Sequence, residues 1–241
     1  MTPTNPTSIG HTPEGKWAFD DDVTNVFDDM LRRSIPQYDV MRDTVFHLGS
    51  RFVTPTTSVI DIGCSRGDAI APFVDKFGAY NHYVGVEVSK PMLEACRARF
   101  DGFIKCGVVN ILDMDLRKLY PPERPSLTLA VLTLQFIPIE YRQHILERAW
   151  FHTVPGGALI LVEKVLGETS TIDRHFTEVY TDHKLAAGYS QDEIARKALS
   201  LEGVLVPITA KANRDLLKGA GFARVDCFWR WCNFAGWLAI K

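Results

Sequence analysis

The stretch Ser58 to Asp68, S-V-I-D-I-G-C-S-R-G-D, constrains this chain more than any other. A β-branched run (Val59, Ile60, Ile62) carries Asp61, ends at Gly63, and is followed four residues later by Gly67. The pattern predicts a buried strand, a tight turn and a helix start. Glycines at 63 and 67 let the backbone approach a ligand as no side chain allows, with Cys64 and Ser65 in the loop between them. Asp68 suits the first turn of the following helix. The loop is not a phosphate grip, because it has neither G-x-x-x-x-G-K-[ST] nor G-x-G-x-x-G spacing. An acid inside it would repel a pyrophosphate, whereas Asp61 can accept from an ammonium group.

At 241 residues and 46% hydrophobic content, the chain can bury a sizeable core as one domain plus an elaboration. A formal net charge of −2 gives no electrostatic footprint for a long nucleic acid. No apolar run reaches the ~20 residues of a membrane span, and Met1 to Lys16 lacks a signal-peptide apolar region. The five cysteines are odd in number and lack C-x-x-C spacing, so they read as reduced thiols of a cytoplasmic protein. No H-E-x-x-H or other His/Asp cluster points to a metal.

Residues 1–16 read as a mobile leader rich in Thr, Pro and Gly. Val23, Val26, Phe27, Met30 and Leu31 then recur at helical spacing behind the acidic run Asp20 to Asp22, and Pro36 ends that helix. A second helix is expected from Tyr38 to about Phe52, and Tyr38 reads either as a ligand contact or as an aromatic at a helix junction. After the glycine turn come a helix to Phe77 and a strand ending at Glu87. An acid at the end of the second strand, some 20 residues beyond the glycine turn, can take both ribose hydroxyls of a nucleotide. Strand three is expected over Phe103 to Val109 and strand four over Ser126 to Thr133. Leu134, Gln135 and Phe136 then fall at the carboxyl end of the sheet, where ligands bind in such folds. A helix over Tyr141 to Val154 and a strand from the Pro155 turn to Lys164 follow. Two helices in 166–208, the second opened by a Ser190/Glu193 capping box, should cover the site. A last crossover helix (Thr209 to Ala220) precedes strands over Arg224 to Trp229 and Phe234 to Ile240. The aromatics Trp229, Trp231, Phe234 and Trp237 read as strand packing. The alternation predicts an α/β fold with a mostly parallel seven-stranded sheet and an antiparallel last strand.

The glycine loop resembles motif I of class I S-adenosylmethionine (SAM)-dependent methyltransferases, which implies a Rossmann-like fold and SAM as cofactor. From Trp17 to Lys241 the chain resembles one branch, the carboxy-S-adenosylmethionine synthase family. The likeness rests on W-A-F-D-D-D-V, V-F-D-D-M-L-R-R-S-I-P-Q-Y, D-I-G-C-S-R-G, L-T-L-Q-F, P-G-G-A-L-I-L-V-E-K, D-H-K-L-A-A-G-Y-S-Q-D-E-I and C-N-F-A-G-W-L-A-I-K. Members of that family convert SAM plus prephenate to carboxy-SAM, the donor for a wobble-uridine modification in tRNA, and tend to be homodimers. The resemblance implies ligand contacts at Tyr38, Gly63, Glu87 and Val88, and places Asn110 and Ile111 around the adenine. Asn110 stands where the family usually has Asp, and two further departures matter more. Val131 stands where the family has a ligand-contacting Asn. Ala198 stands where it has the Arg that clamps the extra carboxylate of carboxy-SAM, and Ala offers no bidentate fork.

These departures predict a divergent relative that uses ordinary SAM to methylate a small-molecule acceptor. Carboxy-SAM synthesis or binding is the alternative, and a non-catalytic SAM-binding subunit a second. Methyl transfer needs an in-line nucleophile, positioning, and a base where the acceptor must lose a proton. His175, His183 and Tyr180 are the candidate catalytic side chains.

Overall fold

The computed structural model describes residues 15–241. Most of the leader expected over 1–16 lies outside them. Helix α1 (Asp21–Ser34) starts where Asp20 accepts the Val23 N–H, and α2 (Tyr38–Gly49) follows a left-handed Gln37. Both precede β1 (Ser58–Ile62), whose neighbours are β2 (His82–Glu87) and β4 (Pro125–Val131), both parallel to it. Between them lie α3 (Ala71–Phe77), α4 (Lys90–Arg99), α5 (Asp101–Lys105) and β3 (Val109–Asp113). Next come α6 (Ile139–His152), β5 (Ala158–Leu166), α7 (Ser170–Ala186) and α8 (Gln191–Leu201). The chain closes with β6 (Ile208–Thr209), α9 (Ala210–Gly219), β7 (Arg224–Trp231) and β8 (Phe234–Ile240).

The main strand order is β3-β2-β1-β4-β5-β8-β7, and β8 runs antiparallel to both its neighbours. The sheet holds eight strands rather than the seven expected. The addition is β6, two residues paired with Val165 and Leu166, where β5 outruns its pairing with β8. Side chains alternate across β1 as a strand requires. Val59 joins the core beneath α2 and α3, while Ile60 and Ile62 join the one beneath α6 and α9. With both faces covered, β1 is buried at all five positions, the polar Ser58 and Asp61 included.

One expected strand is displaced. Phe103 and Ile104 lie in α5, a turn that ends at Gly107 with φ +72°, and β3 begins only at Val109. Local apolarity over 103–109 suits strand or helix alike; the left-handed glycine breaks the segment. The two cover helices and the capping box at Ser190 and Glu193 stand as the sequence predicts.

The loop after β4 is held by a buried acid. Glu163, 1% exposed on β5, accepts N–H bonds from Thr133 (3.2 Å), Leu134 (2.9 Å) and Gln135 (2.6 Å). Gln135 in turn accepts from the Lys164 N–H through Oε1 (2.7 Å) and from the Val206 N–H through its carbonyl (2.8 Å). Replacing the acid leaves buried donors without acceptors, at about 1–3 kcal/mol each. Glu163→Ala should therefore lower unfolding free energy by about 3 kcal/mol or more. Glu163→Gln, which keeps one acceptor oxygen, should cost about 1 kcal/mol. Denaturant midpoints of the two variants against the parent measure both.

Candidate functional site

The carboxyl ends of β1, β2 and β4 meet at a cleft of about 510 Å³ lined by Gly63, Ser65, Glu87, Val88, Asp115 and Phe136. Gly63 has φ +71°, and a Cβ there would sit 2.3 Å from the Thr133 methyl, so both backbone and space demand glycine. Its N–H and that of Cys64 bond the Val86 carbonyl (2.8 and 2.9 Å), which locks the loop to β2. Ser65 and Leu132, which both line the cleft, are non-glycine residues at positive φ (47° and 60°). Such backbone persists only where the surroundings over-determine it. Gly67 serves packing instead: it does not line the cleft, and a Cβ on it would strike the Phe100 ring at 2.4 Å.

Glu87 is already engaged. Its carboxylate accepts from the N–H groups of Ser65 (3.0 Å), Val88 (2.8 Å) and Ser89 (2.9 Å). A carboxylate has about four acceptor positions, so one is left for a ribose hydroxyl unless a backbone bond is exchanged. The expected pair Asn110 and Ile111 is not at the cleft. Asn110 is exposed in mid-strand, and Ile111 is buried against Gly85. Because β3 starts six residues later than expected, its last residue, Asp113, pairs with Glu87, and Met114, Asp115 and Leu116 reach the cleft. The two acids of L-D-M-D were the available signal.

Beyond the glycine loop the cleft adjoins an apolar chamber of about 150 Å³. Tyr38 and Arg42 of α2 line it together with Asp61, Cys64, Val131 and Gln135. Trp17, Phe19, Tyr180, Lys164, Lys197 and Phe234 line the rest. The strap before α1 borders both spaces: Phe19 packs edge-on against Phe136 (5.0 Å), and its carbonyl accepts the Ser89 hydroxyl (2.6 Å). Burial raises the Tyr38 phenol above its usual pKa. Asp61 is 1% exposed, and its Oδ2 has no hydrogen-bond partner. Burial pushes its carboxyl up to about 7 against the pull of Arg42, with Asp68 and Glu87 adding to the rise.

The candidate catalytic side chains separate. Tyr180 lines the chamber, donates to the Ser34 carbonyl (2.8 Å), and is raised in pKa by burial. His175 is exposed on α7 and pairs with Glu178 one turn away (3.1 Å), outside the chamber. His183 packs against Trp231 (5.6 Å between rings), and burial lowers its pKa; it too lies outside the chamber. Three residues apart on α7, Tyr180 faces the site while His183 turns to the β7–β8 hairpin.

A methyltransferase domain model matches residues 59–157. The carboxy-S-adenosyl-L-methionine synthase of Methylococcus capsulatus is 38% identical over 226 residues, spanning 93% of each chain. That of Desulfotalea psychrophila is 34% identical, over 95% of this chain and 94% of its own. The chain belongs to the carboxy-S-adenosyl-L-methionine synthase family. Solved structures agree at the level of fold. A putative O-methyltransferase from Nostoc punctiforme superposes with TM-score 0.62 at 13% identity, covering 92% of this chain and 59% of that one. Human N-acetylserotonin methyltransferase, solved with SAM, gives 0.59 at 17% identity, over 92% and 55%.

This family member is a SAM-dependent enzyme, and its residues fit SAM. The orphan Oδ2 of Asp61 is a buried acceptor for the ammonium group, the glycine cradle excludes side chains, and Glu87 offers a ribose contact. No helix among the described residues is long and apolar enough to cross a membrane.

Asp61 sets a pH dependence. Its folded pKa of about 7 lies above the unfolded value of about 3.9, so the stability that its protonated form contributes is full below pH ~4 and is lost as pH rises through 7. A ligand ammonium group has the opposite preference. Affinity for S-adenosylhomocysteine should weaken by up to about tenfold per unit as pH falls below 7. Asp61→Asn should weaken binding and flatten that slope, as read by calorimetry from pH 5.5 to 8.5.

Proposed function

We propose that the enzyme transfers the SAM methyl group to a small-molecule acceptor held in the chamber under α7 and α8. The observation that carries this reading is the chamber itself: it adjoins the glycine loop, is mostly apolar, and has the dimensions of a small organic group. Bound SAM supplies an electrophilic methyl group. The chain's contribution is then positional. Asp61 and Glu87 anchor the donor at its two ends, while Trp17, Phe19 and Tyr180 keep water from the space beyond. Tyr180, with its proton held toward the Ser34 carbonyl, orients rather than accepts protons. His175 and His183 stand outside the chamber, so an acceptor that needs deprotonation meets no histidine there among the described residues.

A second reading is formation of carboxy-SAM, the product for which the relatives are named. It is favoured by one observation: Ala198 shares a cavity with Lys164, Lys184 and Lys197, cations near the place of the missing Arg. The cytoplasmic location and homodimeric state implied by the family belong to this proposal as well; the five unpaired cysteines fit the first.

Nucleotide carried through purification separates the readings. Mass spectrometry after denaturation should find SAM or S-adenosylhomocysteine for methyl transfer. Carboxy-SAM in its place would put the second reading first.

A further inference from the structure

Residues 15–20 cross the site as a strap before α1, and the two ends of the strap are tied to different elements. At one end the Trp17 N–H donates to the Ser200 carbonyl (2.9 Å) and Lys16 Nζ to the Glu202 carbonyl (2.7 Å), both at the C-terminal end of α8. At the other, the Phe19 carbonyl accepts the Ser89 hydroxyl (2.6 Å) at the N-cap of α4. Between these ties the Phe19 ring packs edge-on with Phe136 (5.0 Å) and with Trp17 (6.1 Å). Phe19 and Phe136 line both the cleft and the chamber, as do Gly63, Ser65 and Leu132. The two spaces therefore share a waist formed by the glycine loop and this pair of rings.

A donor with its ribose at Glu87 and its ammonium group at Asp61 occupies both spaces, because Glu87 lines the cleft and Asp61 the chamber. It must run through the waist, beside Phe19. The two rings there are held unequally. Phe136 follows Gln135, whose N–H, side chain and carbonyl are all bonded to β5 or to the segment after α8. Phe19 lies in a stretch, 17–20, that joins no helix or strand. Its neighbour Trp17 packs with Val23, Phe27, Met30 and Met92 in a cluster separate from the two cores that flank the sheet. The strap can therefore lift without opening either core, as local openings do where few core contacts are lost. The tie at Ser89 also stands next to the donor: the Ser89 N–H donates to the Glu87 carboxylate (2.9 Å), the group that faces a ribose.

We propose that the strap 15–20 is a gate for the donor: it lifts with Phe19 to let the amino-acid end of SAM reach Asp61, then closes over the bound molecule with Ser89 as its latch. A ribose settled at Glu87 bears on the same turn that carries the latch, so occupancy and closure are linked through Ser89. The gate depends on the SAM site alone. It serves methyl transfer and carboxy-SAM formation equally, since either reaction needs the donor to enter and its product to leave.

A gate scales entry and exit by the same open fraction, whereas a residue that merely contacts the donor changes exit alone. Stopped-flow fluorescence with S-adenosylhomocysteine on the full chain measures both rates. Phe19→Ala should raise association and dissociation together, each by about fivefold or more. Ser89→Ala cuts the latch at a residue that lines neither space, and should raise both rates by about threefold with Kd within about twofold of the parent. Lys16→Met, at the exposed tie to Glu202, gives the same comparison if loss of the α4 cap unfolds Ser89→Ala. Faster dissociation with unchanged association in these variants, or no change in either rate, would overturn the proposal.

Discussion

The buried carboxylate of Glu163 is the tie on which the site depends. It gathers three consecutive N–H groups after β4 and so fixes Gln135, whose side chain bonds β5 and whose carbonyl bonds Val206 in the segment after α8. Arg142, 1% exposed on α6, completes the tie by donating to the carbonyls of Ile137 (2.8 Å) and Val206 (2.7 Å). Burial drives the Glu163 pKa up to about 8, while Arg142 and the three N–H donors favour the charged form. Such a network is stable only when every member is satisfied, so one substitution would release loop and cover together.

Charge divides the active region. Acids stand on the side of the glycine loop, with Asp61 and Glu87 at the ends of β1 and β2. Cations stand on the far side, contributed by β5 and the cover helices. A donor carrying an ammonium group and a ribose suits the first side. Between them the walls are aromatic, which weakens the screening of both sets of charges.

Motif I, the acid at Glu87, the capping box at Ser190 and the antiparallel last strand are set by local patterns, and all were legible. Strand three was not, since F-I-K-C-G-V-V satisfies strand and helix periodicities equally, so the adenine contacts were expected at Asn110 and Ile111, whereas Asp115 and Leu116 are the residues that reach the cleft. His175 and His183 were chosen for their chemistry alone. Which way a helical side chain faces depends on how the helix is rotated against the sheet, and α7 turns Tyr180, not either histidine, into the chamber.

By itself the sequence determined the fold and the glycine-loop edge of the site, from Asp61 and Gly63 to Glu87. Glycine geometry, strand alternation and helix capping act over a few residues, and β1 to β2 is one continuous stretch of chain. Only the tertiary structure decided the other side. Lys164, Lys184 and Lys197 look like ordinary surface cations when read in order. Their meaning comes from packing β5, α7 and α8 around one tyrosine, which draws three ammonium groups together without giving them a carboxylate partner.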